Sequence, residues 1–196
     1  ATATTTVSSM GEGRWTGVAG SSWTTADNWC NGMVPTASTN VSIPTSQVVN
    51  EPILTTTASV NNIMVQAGRT LTIANGANLQ IAGVITNAGN IMAASGKVTF
   101  NGVAAQNIPA NTFAANTILN LELNNTAGVT LLGALRITGL LTATAGIFNA
   151  NGFLTLASSE TITAQVAPIL TPTVAVSGRV NVERFVKGGP KEPSRT

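Results

Sequence analysis

The 196-residue chain has no His and no Tyr, one Cys, and few charges: nine Lys and Arg against seven Asp and Glu, 8% of the residues. An ordinary soluble domain carries roughly 25%. Each shortage excludes chemistry. Without His, a Ser-His-Asp triad or a His-ligated metal site cannot form. A single Cys, Cys30, permits neither an internal disulfide framework nor a cysteine zinc site. A net charge of +2 with no basic run gives no footprint for nucleic acid. No run of about 18 apolar residues exists, so no membrane-spanning helix is expected. There is no basic-then-apolar leader at Ala1, so any export signal is expected to have been removed or to lie outside this sequence.

What the chain does contain is strand and corner material. Thr (30), Val (18) and Ile (13) dominate, and such β-branched side chains favour a pleated surface. Asn (20) and Gly (19) supply positions where a backbone turns. Leu, Ile, Val and Phe are numerous enough for a sizeable core and argue against disorder. No segment keeps a 3.6-residue apolar period. The fold class is therefore all-β.

Spacing refines this reading. From Arg69, the inward candidates Leu71 and Ile73, Leu79 and Ile81, Ile85, Ile91, and Val98 and Phe100 are punctuated by Gly76, Gly83, Gly89, Gly96 and Gly102. From Asn124, Val129 and Leu131, Leu135 and Ile137, Leu141, Ile147, and Leu154 and Leu156 alternate with Gly133, Gly139, Gly146 and Gly152. Units of six to ten residues, each a short strand and a corner, suit a right-handed parallel β-helix (β-solenoid). Three such faces make a coil of about 20–25 residues. Residues 48–160 then hold about five coils, with inward aliphatics and outward Thr and Asn ladders. An antiparallel β-sandwich is the alternative, because Asn75-Gly76, Asn101-Gly102 and Asn151-Gly152 are good hairpin dipeptides. The near absence of charge over residues 52–159 favours the solenoid.

The expected organisation has four parts: a β-prone tail or linker at 1–13, a Trp-rich cap at 14–47, solenoid coils at 48–178, and a strand with a polar connector at 179–196. Ala1–Ser9 reads either as a strand that adds to another subunit or to a sheet edge of its own chain, or as a disordered terminus. Trp15, Trp23 and Trp29 read as a lid over the first coil, with a carbohydrate platform as the other reading. Cys30 is expected to be a buried structural thiol, and Asp27, the only Asp, is too isolated for a calcium site. Val180–Val186 reads as one more strand.

The stretch WTGVAGSSWTTADNWCNGMVPT, with its Val-x-Ile-Pro strand, the glycine-punctuated coils and the closing GRVNVERFV, resembles modules of large secreted surface proteins of the Bacteroidota. The resemblance covers residues 14–186. It implies a protein exported by the type IX route to the cell surface or beyond, serving as an adhesin, stalk or fibre component. It brings no catalytic residues with it.

The function expected is a non-enzymatic extracellular structural or adhesive protein. It would be a stalk or filament subunit associating with itself or neighbouring domains through Ala1–Ser9 and Arg179–Thr196. A glycan-binding or, less well supported, ice-binding module is the alternative. Polysaccharide-cleaving β-helices need two or more acids, or a Lys or Arg base, on one face. Here Glu12, Asp27, Glu51, Glu122, Glu160, Glu183 and Glu192 are scattered, so no catalytic, metal-binding or cofactor-binding residues are assigned.

Overall fold

A computed structural model describes residues 13–187, and these form a β-solenoid of about six turns. The chain visits three faces in rotation. The first face carries Val41–Ile43, Ile63–Val65, Ile85–Asn87, Gln106–Ile108, Val129–Leu131, Ile147–Asn149 and Ala175–Ser177. The second carries Ile53–Leu54, Thr70–Ile73, Leu135–Ile137, Leu154–Leu156 and Val180–Val182, and the third Thr57–Val60, Asn78–Ile81, Leu140–Ala145 and Gln165–Val166. Two long strands, Asn90–Phe100 and Thr117–Asn124, run through the second and third faces without a break.

Every strand-to-strand pairing is parallel. Val41 sits against Ile63 and Ile63 against Ile85, 22 residues apart each time. The step tightens to 19 at Asn78–Lys97 and lengthens to 28 at Ile147–Ala175. Antiparallel contact among the described residues is confined to the isolated pairs Trp15–Trp29 and Ser158–Thr163. The sandwich alternative is thereby excluded, and the Asn-Gly dipeptides serve as corners between faces rather than as hairpins.

The core follows from the alternation. Leu71, Ile73, Leu79, Ile81, Ile85, Ile91, Val98, Phe100, Leu135, Ile137 and Leu141 all point inward and are buried. Each such side chain contributes roughly 1.5–3 kcal/mol on burial. Three expectations shift. Ile147 faces solvent and Phe148 fills the core beside it, because the corner at Gly146 moves the period by one residue. Gly96 does not end a strand. It lies inside Asn90–Phe100, where a Cβ would come 2.8 Å from the Ile73 carbonyl oxygen, so its small size lets the extended chain round a corner. The last strand stops at Val182, since the Glu183 side chain turns to Arg136 and the Ser158 N–H.

The cap is the solenoid's first, irregular coil. Arg14 pairs with Ser42 on the first face and Ser22 with Ile53 on the second, both parallel. Trp15, Trp23 and Trp29 are each at most 2% exposed. Trp29 meets Trp15 and Trp23 edge-on, with centroids 4.9 and 4.8 Å apart. Trp15 Nε1 donates to the Asn50 carbonyl at 2.7 Å and Trp29 Nε1 to that of Trp23 at 2.9 Å. Buried Asn28 fixes the surrounding loop, donating to the Ser22 carbonyl and accepting from the Ala19 N–H, each at 2.8 Å. Such a lid supplies the large buried area that a terminal coil otherwise lacks. Ala1–Ser9, and the connector beyond Lys187, lie outside the described residues.

Candidate functional site

The glutamates are the natural place to look for chemistry, and the fold pairs each described one with a base. Glu51 meets Arg69 at 3.0 Å, Glu122 meets Lys97 at 2.8 Å, Glu183 meets Arg136, and Glu160 lies 4.0 Å from Lys187. Each of these pairs joins segments at least 18 residues apart, so the charges tie different coils together. Glu122 sits in an outward ladder, where Thr99 Oγ1 donates to Asn78 Oδ1 at 3.0 Å and approaches Glu122 at 3.3 Å. The Glu183 carboxyl is held below the ordinary carboxylate range by the Arg136 guanidinium and the Ser158 N–H. No group of three or more Cys, Asp or Glu side chains gathers among the described residues. Cys30 is half-buried rather than buried, its backbone N–H donating to the Arg14 carbonyl at 3.0 Å.

The outward Thr residues at 70, 72 and 142 do not continue as Thr on the neighbouring coil. Thr70 and Thr72 lie on the second face, and the next coil puts Asn90 and Met92 beside them. Thr142 lies on the third face, beside Glu122.

The irregular feature of the solenoid is on its first face. That face is two ladders, one ending at Ile85–Asn87 and the other beginning at Gln106–Ile108. The other two faces run on past this level. A cleft of about 440 Å³ separates the two edges, lined by Ala82–Asn87, Ala104–Asn107, Pro109 and Leu132. None of these side chains titrates, so the cleft is equipped to bind and not to move protons.

Side-chain amides stand at both ends of the break where backbone pairs would otherwise form. Gln106, 6% exposed, donates through Nε2 to the Gly83 carbonyl at 2.7 Å and the Ile81 carbonyl at 3.0 Å. Its Oε1 accepts from the Gly102 N–H at 2.9 Å and from Asn125 Nδ2 at 2.8 Å. At the far end, Asn87 Nδ2 donates to the Thr112 carbonyl at 2.6 Å. The Asn ladder of the preceding corner also stops here. Asn62 donates to Asn40 Oδ1 at 2.8 Å and accepts from the Val84 N–H at 2.6 Å, but Val84 cannot pass the chain on.

Sequence reasoning did not find this break. The run from Asn101 to Ile108 has a glycine, a corner and an aliphatic like its neighbours. The available signal was Gln106 at an inward position, a polar residue that needs four partners to be buried.

At the opposite end from the Trp lid, the last strands Gln165–Val166, Ala175–Ser177 and Val180–Val182 pair on one side alone among the described residues. Leu170, Val182 and Val186 are each more than 70% exposed nearby.

No curated protein and no solved structure matches the chain. A family model does match, over residues 14–112, from the first paired residue of the cap to the loop that Asn87 holds. That span is just over half of the sequence, and the chain belongs to the family described as Domain of unknown function (DUF8693).

Proposed function

We propose that this protein is a non-enzymatic extracellular spacer, a rigid solenoid segment of a cell-surface stalk or adhesive structure. One observation carries the reading: the described residues form one parallel stack of about six turns, with a Trp-filled first coil. Three buried Trp side chains close the first coil, while the last strands pair on one side alone among the described residues. Stacked coils that share a continuous core suit a rigid spacer. The ion pairing of every described glutamate supports the non-enzymatic part.

The surface location and type IX export rest on the resemblance to secreted Bacteroidota modules. The alternative, glycan binding through an aromatic platform, has less support because all three indoles are inside the cap.

Immunogold labelling of intact source cells tests the location. Label on the outer surface or on released material is expected, and label restricted to the cytoplasm would overturn the reading. A polysaccharide panel incubated with the purified protein should release no reducing ends, and release would overturn the non-enzymatic assignment.

A further inference from the structure

The break on the first face has the hydrogen-bonding character of a missing strand. In a parallel ladder, alternate residues point their N–H and C=O to opposite neighbours. The Val84 carbonyl accepts from the Ile63 N–H, and the Ala88 N–H donates to the Val65 carbonyl. Val84, Thr86 and Ala88 are therefore committed to the preceding coil, and the backbone groups of Ile85 and Asn87 face the cleft. On the other wall, the Gln106 N–H donates to the Gly128 carbonyl and the Ile108 carbonyl accepts from the Leu132 N–H. That commits Gln106 and Ile108 to the following coil and turns Asn107 toward the cleft.

Exposed Val84 and Leu132 form apolar lips at its mouth. An edge of this kind is matched by an extended polypeptide, whose backbone supplies complementary donors and acceptors.

A second groove indicates where that polypeptide comes from. A channel of about 520 Å³ begins at Arg14 and crosses the first face past Ser42 and Met64 to Val84 and Thr86. Those last two residues also line the cleft. Arg14 is the residue where the chain enters the first face, so the groove leads from the start of the fold to the break.

Residues 1–9, ATATTTVSS, are uncharged, rich in Thr and Val, and free of Gly and Pro, which is strand composition. From Arg14 to the cleft is four strand spacings of about 4.8 Å, about 19 Å in all. Six extended residues, Ser8 to Gly13, reach about 20 Å.

We propose that the N-terminal segment of the same chain lies in this groove and that Thr4–Val7 enters the cleft as an added strand on the Ile85–Asn87 edge. The proposal is independent of the spacer reading, which stands or falls on where the protein is found.

Amide hydrogen exchange on the full chain and on a variant lacking residues 1–9 tests it. The Ile85 and Asn87 amides should exchange about tenfold or more slowly in the full chain, because a paired edge amide must open before it exchanges. A synthetic ATATTTVSS peptide added to the shortened chain should restore the protection, and the same peptide N-methylated at Thr5 and Val7 should not. In the full chain, Val84→Asp, a change at an exposed lip that leaves the core intact, should lower the protection. Equal exchange at Ile85 and Asn87 in the two chains would overturn the proposal. Protection that rises with protein concentration would also overturn it, since it would place the strand in a second copy.

Discussion

Gln106 offers a direct test of how the break is held open. Its side chain makes four hydrogen bonds while 6% exposed: two donated to the Ile81 and Gly83 carbonyls, and two accepted, from the Gly102 N–H and Asn125 Nδ2. Each is worth about 1 kcal/mol net, so loss of all four costs about 4 kcal/mol. Some partners have a second bond, since the Ile81 carbonyl also accepts from Asn101 and Asn125 also reaches the Ala104 carbonyl. The Gly102 N–H has no such alternative among the described residues and bears the orphan penalty.

The substitution to make is Gln106→Met, which keeps length and bulk and so isolates the hydrogen bonds from a cavity effect. Gln106→Ala should cost more, because a cavity adds to the loss. Asn107→Ala, one residue along and exposed, is the control and should change stability by no more than about 0.5 kcal/mol. Urea unfolding gives the global value. Hydrogen exchange at Ile81, Gly83 and Gly102 gives the local one, which matters because stacked coils can open piecemeal. If Gln106→Met unfolds within about 1 kcal/mol of the parent, with those amides equally protected, the amide does not pin the break.

Other expectations follow from the same structure. Trp29→Ala removes the ring that meets both other indoles and should cost about 3–5 kcal/mol, with the remaining tryptophans becoming accessible to acrylamide quenching. Unchanged quenching would show that the lid does not depend on Trp29. Gly96→Val pushes a side chain against the Ile73 carbonyl and should cost at least about 1–3 kcal/mol in thermal or urea unfolding, an effect absent if the corner has room.

Glu183 has a folded pKa below its unfolded one, through the Arg136 guanidinium and then the Ser158 N–H. Its contribution is fully present above the ordinary Glu value of about 4.3 and disappears as the pH falls through the lower folded value. Amide protection at Val180–Val182 should decline over that acid range in the parent. In Glu183→Gln that step should be missing.

The solenoid is legible in the sequence because its cause is repetitive. Each coil needs two inward aliphatics per short strand and a small residue at each corner, and Leu71, Ile73, Leu79 and Ile81 display that without ambiguity. The Trp lid was legible for a related reason, since three indoles near the first coil leave few ways to bury them. The misread positions are those where a local choice depends on the neighbouring coil. Ile147 and Phe148 are both apolar, and the shift between them depends on the backbone packing of Gly146 against the Asn125 carbonyl. The ion pairs were not visible either, because Arg136 and Glu183 are far apart in sequence and meet only after two further coils are laid down. The candidate site was the least legible part: it is defined by edge hydrogen bonds that the described residues do not make with one another.

The parallel register has a mechanical consequence. Strand residues paired on adjacent coils are 19 to 28 positions apart along the chain, and each coil depends on the one before it. Tension applied at the C-terminal end would peel the stack one turn at a time. Each turn of about 20 residues would release about 70 Å of extended chain. The Trp-filled coil, furthest from the load, would yield last and remain as the template on which the peeled turns wind back when the load is removed.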